Sequence, residues 1–167
     1  MRTLTALALA ALLISPLVSP LAHSRDIQRE LEDRVEIADV MAKYIWTVDS
    51  LDADGYVSVF TDDAVIDSNG TLIKGHDEIR KVVTGQIERN ADNKAKGLPP
   101  VRLYHNVFNT RISFTGKDEA LYQSYWQTLR RKDNQMVVGG IGRSEDHLVR
   151  SHGQWLIKFR KLTVFTE

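Results

Sequence analysis

The sequence contains no cysteine and carries no net charge, and each absence excludes a class of function. Without cysteine there is no disulfide, no thiolate metal site and no cysteine nucleophile. The 22 lysines and arginines are balanced by 22 aspartates and glutamates. Such a balance argues against the broad basic surface with which proteins bind nucleic acid or acidic membranes. We therefore expect neither as a partner.

The chain also lacks the short motifs of several common catalytic and cofactor sites. It contains no HExxH, no GxGxxG, no phosphate-binding loop, no GxSxG and no calcium loop. The densest acidic group is Asp62, Asp63 and Asp67, at a predicted junction between a helix and a hairpin, where aspartates commonly form caps and turns. We expect no cofactor and no metal, and a metal held by these aspartates is the weakest alternative.

Long hydrophobic runs are absent after the N-terminus, where one run extends over residues 4–18 and follows Arg2. Ala22 and Ser24 then place small residues at the positions that a signal peptidase reads. These features predict that residues 1–24 are a secretory signal peptide. We therefore expect an exported protein, periplasmic or secreted.

The alternative interpretation of this run is a membrane anchor, which needs about 20 consecutive apolar residues. Pro16 and Pro20 interrupt the run, so cleavage is favoured and no stable anchor is expected afterwards. The remaining residues, 25–167, have the length of one domain and can bury a core without disulfides.

The patterns in this mature part predict helices first and a long meander of strands last. Helical spacing predicts a helix from near Asp33 to Val48, a short one ending at Thr61–Asp63 and a third after His76. Asn69-Gly70 predicts a hairpin between the last two. Four runs rich in aromatic and β-branched residues predict antiparallel strands: 101–114, 119–130, 135–150 and 154–165. The order predicts an α+β domain in which a strongly bent, mostly antiparallel sheet wraps over the helices and encloses a pocket.

An aspartate stands on the predicted inward face of the first helix. Stepping back from Asp49 by helical spacing gives an apolar stripe: Ile45, Ala42, Ala38 and Val35. A carboxylate on a buried face is costly unless something hydrogen-bonds it or neutralises it. Asp49 therefore needs a partner, either structural or functional.

His105 is the candidate partner. It shares one face of its predicted strand with Leu103 and Val107, while larger apolar residues dominate the other face: Tyr104, Phe108, Ile112 and Phe114. If the face of His105 turns inward, its ring points into the cavity that Asp49 enters. The alternative for His105 is a hydrogen-bonded structural role.

An aspartate bonded to one imidazole nitrogen fixes the tautomer and leaves the other nitrogen free to remove a proton. Such a pair is a general base. It would need donors aimed at the developing charge, and the candidates are Tyr44, Tyr122, Trp126, Asn109 and Arg160. Each of them also has an interpretation as a core or surface residue.

The stretches "YIWTVDSLDADGYVSVFTDDAVID", "KGHDEI", "YHNVFNTRISF", "DEALYQSYW" and "GIGRSEDHLVRSHGQWLIKFRKL" together resemble the SnoaL-like branch of the nuclear transport factor 2-like superfamily. The resemblance spans about residues 27–164. It implies a cone-shaped α+β barrel with a deep apolar pocket, often a homodimer through the open face of its sheet. Relatives include ketosteroid isomerase, scytalone dehydratase, hexachlorocyclohexane dehydrochlorinase and non-catalytic proteins.

The resemblance also implies roles for particular residues. In the dehydratase and dehydrochlorinase branch, an aspartate at the end of the first helix and a histidine in the first long strand form the catalytic dyad, and they match Asp49 and His105. Arg160 matches a pocket arginine of the dehydrochlorinase. The sequence departs from scytalone dehydratase in having no second pocket histidine near Tyr125 and Trp126.

Two hypotheses follow. The first is a cofactor-independent lyase or isomerase that uses the Asp49–His105 pair to take a proton from a small apolar substrate, cyclic or aromatic. The second is a non-catalytic periplasmic module that binds a small ligand or a partner on the same fold.

Overall fold

The computed structural model describes the backbone of residues 20–166 and the side chains of residues 26–166. Residues 1–19, most of the predicted signal peptide, lie outside this description, and the peptide stays a prediction. The chain falls into two compact units, residues 1–32 and 33–167. None of the described helices combines the length and the hydropathy that a membrane span requires. The second unit contains every site discussed below.

The elements have the predicted order, helices first and long strands last, so the α+β class is confirmed. The second helix is shorter than predicted, and Phe60 belongs to a strand. The third helix continues through half of the predicted loop at 90–100. The helices are α1 Pro20–Ser50, α2 Ala53–Val57 and α3 Gly75–Ala95; the strands are β1 Phe60–Ser68, β2 Thr71–Lys74, β3 Leu103–Gly116, β4 Glu119–Lys132, β5 Gln135–Ser151 and β6 Gln154–Val164.

The six strands form one mixed sheet in the order β2-β1-β6-β5-β4-β3. Every neighbouring pair is antiparallel except β1 and β6, which run parallel. In the described part of the chain, the edge strands β2 and β3 do not pair with one another, so the sheet is open and does not close on itself. The predicted hairpin is present, with Asn69 and Gly70 at positive φ.

The inward face of α1 differs from the predicted one. Its buried residues are Asp33, Ile37, Met41, Tyr44 and Thr47. The stripe predicted to face inward lies beside them and is exposed or half-buried: Val35, Ala38, Ala42 and Ile45. The larger side chains occupy the core because they bury more apolar area than alanine does. A pattern of apolar residues alone misses this face because it begins with an aspartate.

A β-bulge in β3 decides which residues face the helices. Asn109 has φ +54°, and the register with β4 shifts by one residue between Phe108 and Arg111. The extra residue changes the alternation of the strand. His105 and Val107 before the bulge therefore share the inner face with Ile112 and Phe114 after it, although simple alternation assigns them to opposite faces.

The left-handed conformation of Asn109 gives a test of this bulge. Asn109→Val is expected to lower the free energy of unfolding by about 1–2 kcal/mol, since a β-branched residue disfavours positive φ. Asn109→Gly tolerates that φ and is the matched control, expected to lose less. Chemical denaturation of both variants measures the difference. Equal losses would contradict the role of the backbone conformation.

Candidate functional site

Asp49 holds His105 at two points. The backbone N–H of His105 donates to Oδ2 of Asp49 at 2.9 Å, and ring atom Nδ1 lies 2.5 Å from Oδ1. Each side chain is 21% exposed. In the described part of the chain Nε2 of His105 has no hydrogen-bond partner. The carboxylate thus selects the tautomer that carries its proton on Nδ1 and leaves the Nε2 lone pair free.

The end of α1 fixes the position of Asp49. Leu51 has φ +61°, the N–H of Asp52 donates to the carbonyl of Thr47 at 2.9 Å, and the N–H of Leu51 donates to that of Val48 at 3.3 Å. These two bonds and the left-handed residue form a Schellman motif, which ends a helix abruptly. Asp49 therefore lies on a rigid last turn, one residue before the helix ends.

The two residues line a cavity of about 260 Å³. Most of its wall is apolar, and these side chains come from the end of α1, from β1, β2, α3 and β6 and from the chain around the start of β3: Val48, Leu51, Ile66, Ile73, Val82, Val83, Val101, Leu103 and Leu162. Its polar side chains besides Asp49 and His105 come from five segments: Tyr44, Tyr56, Ser68, Gln86, Arg89 and Arg102. A concave apolar pocket with a few polar groups is the usual form of a small-molecule site.

Two tyrosines form a pair in the wall of this cavity. The rings of Tyr44 and Tyr56 lie side by side, with their centroids 5.2 Å apart. Burial, and then Tyr44, raise the pKa of Tyr56 well above its ordinary value. Tyr56 therefore keeps its proton and stays a hydrogen-bond donor. The sequence indicates Tyr56 only as an apolar position of a short helix.

The structure places Arg160 outside this cavity. The Arg160 guanidinium donates to Asp146 at 2.6 Å, and both side chains are almost fully buried. Asp146 also accepts from Ser144 at 3.1 Å. Burial raises the pKa of Asp146, and Arg160 and Ser144 oppose that rise. Arg160 reaches the core because the register of β6 shifts by one residue between Ile157 and Phe159.

The remaining predicted donors do not line the cavity of His105 either. Tyr122 and Arg160 line a separate cavity of about 320 Å³, beside the exposed face of α1. Trp126 packs against Gly142, where a Cβ would lie only 2.6 Å from its ring. Asn109 is exposed in the bulge. Of the seven residues predicted to form the site, the structure brings together Asp49, His105 and Tyr44.

The acidic group that suggested a metal takes part in turns. The N–H of Gly70 donates to Asp67 at 2.7 Å, and the hydroxyl of Thr61 donates to Asp63 at 2.8 Å. Asp62 lies 3.5 Å from Nδ1 of His76, and Nε2 of that ring lies 3.1 Å from the carbonyl of Phe60. Within the described residues, no three acidic or histidine side chains are grouped as metal ligands.

The site residues that the sequence did not indicate are Tyr56, Gln86, Arg89 and Arg102. Gln86 lies on the inward face of α3 with Val82 and Val83, and the sequence indicates only its position on that helix. Arg89 and Arg102 are exposed, and nothing in a single sequence separates them from other surface arginines. The double proline that precedes Val101 is the one local signal that the chain turns there.

Comparison with known families finds that the model of the SnoaL-like domain matches residues 29–161. Comparison with curated proteins finds no match.

Solved structures share the fold. A nuclear transport factor 2-like protein with a cystatin-like fold from Novosphingobium aromaticivorans superposes with a TM-score of 0.75 at 21% identity, covering 89% of this chain and 92% of its own. A protein of the same organism, provisionally called a scytalone dehydratase, gives 0.68 at 21% identity and covers 84% and 89%. Another, provisionally called an aromatic ring hydroxylase, gives 0.66 at 26% identity and covers 82% and 92%.

Tyr122 gives a pH-dependent test of the second cavity. Burial raises its pKa from 10.0 to about 12, and Asp146 adds to the rise. Below pH 10 both the folded and the unfolded chain keep this proton, so the stabilisation is complete. Between about pH 10 and 12 only the unfolded chain loses the proton, so the free energy of unfolding falls as the pH rises.

Tyr122→Phe is expected to reduce this alkaline loss by about 2 kcal/mol, at 1.4 kcal/mol per pKa unit. Chemical denaturation at pH 10 and pH 12 measures it. Tyr104→Phe, at a tyrosine that is 47% exposed, is the control expected to leave the loss unchanged. An equal alkaline loss in the wild type and Tyr122→Phe would contradict the prediction.

Proposed function

We propose, on the premise that this chain belongs to the SnoaL-like domain family, that it is a cofactor-independent lyase or isomerase. The observation that carries the proposal is the Asp49–His105 pair, with Nε2 of the ring unpartnered, in the wall of an apolar cavity. The export predicted for residues 1–24 is part of the proposal.

Nε2 of His105 is the base. It takes a proton from a substrate carbon, and the electron pair of that C–H bond forms a carbon–carbon double bond. In a lyase, a leaving group on the neighbouring carbon departs with its own bonding electrons and receives a proton in turn. In an isomerase, the imidazolium returns the proton to a different carbon. Asp49 stabilises the imidazolium in both cases.

The donors for the developing negative charge are the tyrosines of the cavity. Tyr44 and Tyr56 lie side by side in its wall, and the raised pKa of Tyr56 keeps it a donor. Prearranged donors of this kind contribute most where water is excluded. Tyr44 and Tyr56 replace Arg160 in this role because Arg160 is bonded to Asp146.

The substrate proposed is small and largely apolar, cyclic or aromatic. The cavity of about 260 Å³ is smaller than the roughly 300–1,000 Å³ of pockets that hold drug-sized ligands. The apolar part of its wall would leave many polar groups of a sugar or a nucleotide base without hydrogen-bond partners after they lose their water, which is costly.

A probe with one acidic C–H bond tests the base without knowledge of the natural substrate. Nitrobenzisoxazole opens when a base removes its ring proton, because the N–O bond then breaks and releases a coloured cyanophenolate. The wild type is expected to accelerate this reaction. His105→Ala is expected to lose about 100- to 10,000-fold, the usual contribution of a positioned base, and Asp49→Asn to lose part of it.

His147→Ala is the matched control, since His147 is an exposed histidine whose ring meets that of Phe159 edge-to-face. Circular dichroism checks that each variant is folded. Ring opening by His105→Ala at the wild-type rate would refute the base. Wild-type protein that binds the probe without opening it would favour the alternative, a ligand-binding module without catalysis.

A homodimer through the open face of the sheet completes the proposal. Aromatic side chains follow one another on that face, and they are partly exposed: Phe108 stacks on Tyr125 at 6.2 Å, and Phe165 lies 6.1 Å from Tyr125. An exposed apolar patch of this kind is typical of an interaction surface.

Tyr125→Glu is expected to convert the dimer to a monomer, because it places a charge at the centre of the patch. Sedimentation at micromolar concentration measures the mass. Lys94→Gln, an exposed position on α3, changes the net charge by the same amount and is expected to leave the dimer intact. A wild type that sediments as a monomer would remove this part of the proposal.

A further inference from the structure

Two arginines stand in the wall of the His105 cavity without a counter-charge. Arg89 and Arg102 both line it and both are exposed to solvent. Other described arginines have acidic partners within 4.0 Å, among them Arg80, Arg143, Arg150 and Arg160. Within the described residues no such ion pair is found for Arg89 or Arg102. Among the described residues that line the cavity, Asp49 is the one acidic side chain, and it is bonded to His105.

A hydrogen-bond network joins the two separate segments that carry these arginines. The amide of Gln86 donates to Asn90 at 3.1 Å and to the carbonyl of Val101 at 3.3 Å. Asn90 in turn donates to that carbonyl at 3.2 Å and accepts from the N–H of Val101 at 2.9 Å. Helix α3 thus holds Val101 by its backbone, and Arg102 is the next residue.

The same network orients Arg89. Its guanidinium donates to Oε1 of Gln86 at 2.9 Å, so one amide side chain positions both Arg89 and the segment that carries Arg102. Gln86 therefore orients the Arg89 side chain directly and Arg102 through the backbone of Val101, and both arginines line the cavity and reach solvent.

Arg102 also borders a neighbouring cavity whose described lining adds Arg130 and Arg131 and contains no acidic residue. The positive charge thus extends beyond the first cavity. Uncompensated cations around an opening attract anions and favour their binding.

We propose that the natural substrate is a small organic acid whose carboxylate binds between Arg89 and Arg102 while its apolar body lies against the inner wall beside His105. The inference rests on the proposed function in calling the acid a substrate. Binding of the acid to the two arginines does not depend on catalysis. A guanidinium presents paired N–H donors that match a carboxylate. The apolar wall then excludes ligands that are polar along their whole length.

Matched acids and amides test this preference. The probes are phenylpropanoate, cyclohexylacetate and indoleacetate, each beside its primary amide, which has the same shape without the charge. Chemical-shift titration gives the two dissociation constants. The wild type is expected to bind at least one acid about tenfold more tightly than its amide, the effect of about 1.4 kcal/mol.

Two variants assign the preference to the arginines. Arg89→Gln/Arg102→Gln is expected to bring the acid-to-amide ratio of affinities close to one, while Lys94→Gln, on the same helix, is expected to keep it. Loss of the preference in Lys94→Gln as well, its survival in the double variant, or no binding by any acid of the panel would overturn the proposal. Tighter binding of a matched phosphonate would overturn the assignment to a carboxylate.

The same titration with His105→Ala separates this inference from the proposed base. A preference that persists in His105→Ala supports recognition of the acid, whatever the rate of ring opening. A ratio near one in a wild type that opens nitrobenzisoxazole would refute the acid and leave the base in place.

Discussion

The bond between Asp49 and His105 is the constraint on which the candidate site depends, because it joins the end of α1 to an edge strand. The carboxylate takes both a backbone N–H and a ring nitrogen of the same residue. The backbone bond satisfies a donor that the neighbouring strand does not take, and such donors are a liability on edge strands. The ring bond sets the tautomer. One side chain therefore fixes the position of β3 and the chemistry of its histidine together.

Tyr44 lies between the cavity of His105 and Arg160, which the sequence predicts to share one pocket. It lines the cavity of His105, and the guanidinium of Arg160 lies 4.1 Å from its ring centroid. A cation over an aromatic face is attracted to it, more strongly when water is excluded. Arg160 thus supports the position of Tyr44 and stays away from the substrate. Asp146 compensates the charge of Arg160 locally, so this charge needs no partner in the cavity of His105.

The fold and the central pair could be predicted from the sequence, but the rest of the site could not. Helical and alternating patterns indicate the elements, and an aspartate in an apolar segment marks Asp49. The predicted facing of side chains is wrong where one extra residue changes the alternation of a strand. The bulge at Asn109 and the register shift near Lys158 each turn inward side chains that simple alternation assigns to the other face.

The predicted inward face of α1 is wrong for another reason. Asp33 belongs to the buried face and interrupts the apolar pattern by which such a face is recognised. Arg89 and Arg102 could not be predicted as site residues for a third reason. They are thirteen positions apart, and they line the same cavity because Val101 is bonded to Asn90. No periodic pattern encodes a contact between a helix and a loop.

In the proposed complex, each negative charge of the substrate lies near a group that stabilises it. A substrate carboxylate near the base would repel the negative charge that proton removal creates, and this repulsion weakens with distance and with compensation. Arg89 and Arg102 supply the compensation at the open end, while Tyr44 and Tyr56 stabilise the new charge inside without adding a net charge. A guanidinium beside Nε2 would instead disfavour the imidazolium, since like charges repel. The position of Arg160 behind Tyr44, where Asp146 neutralises it, therefore favours a histidine base at this position.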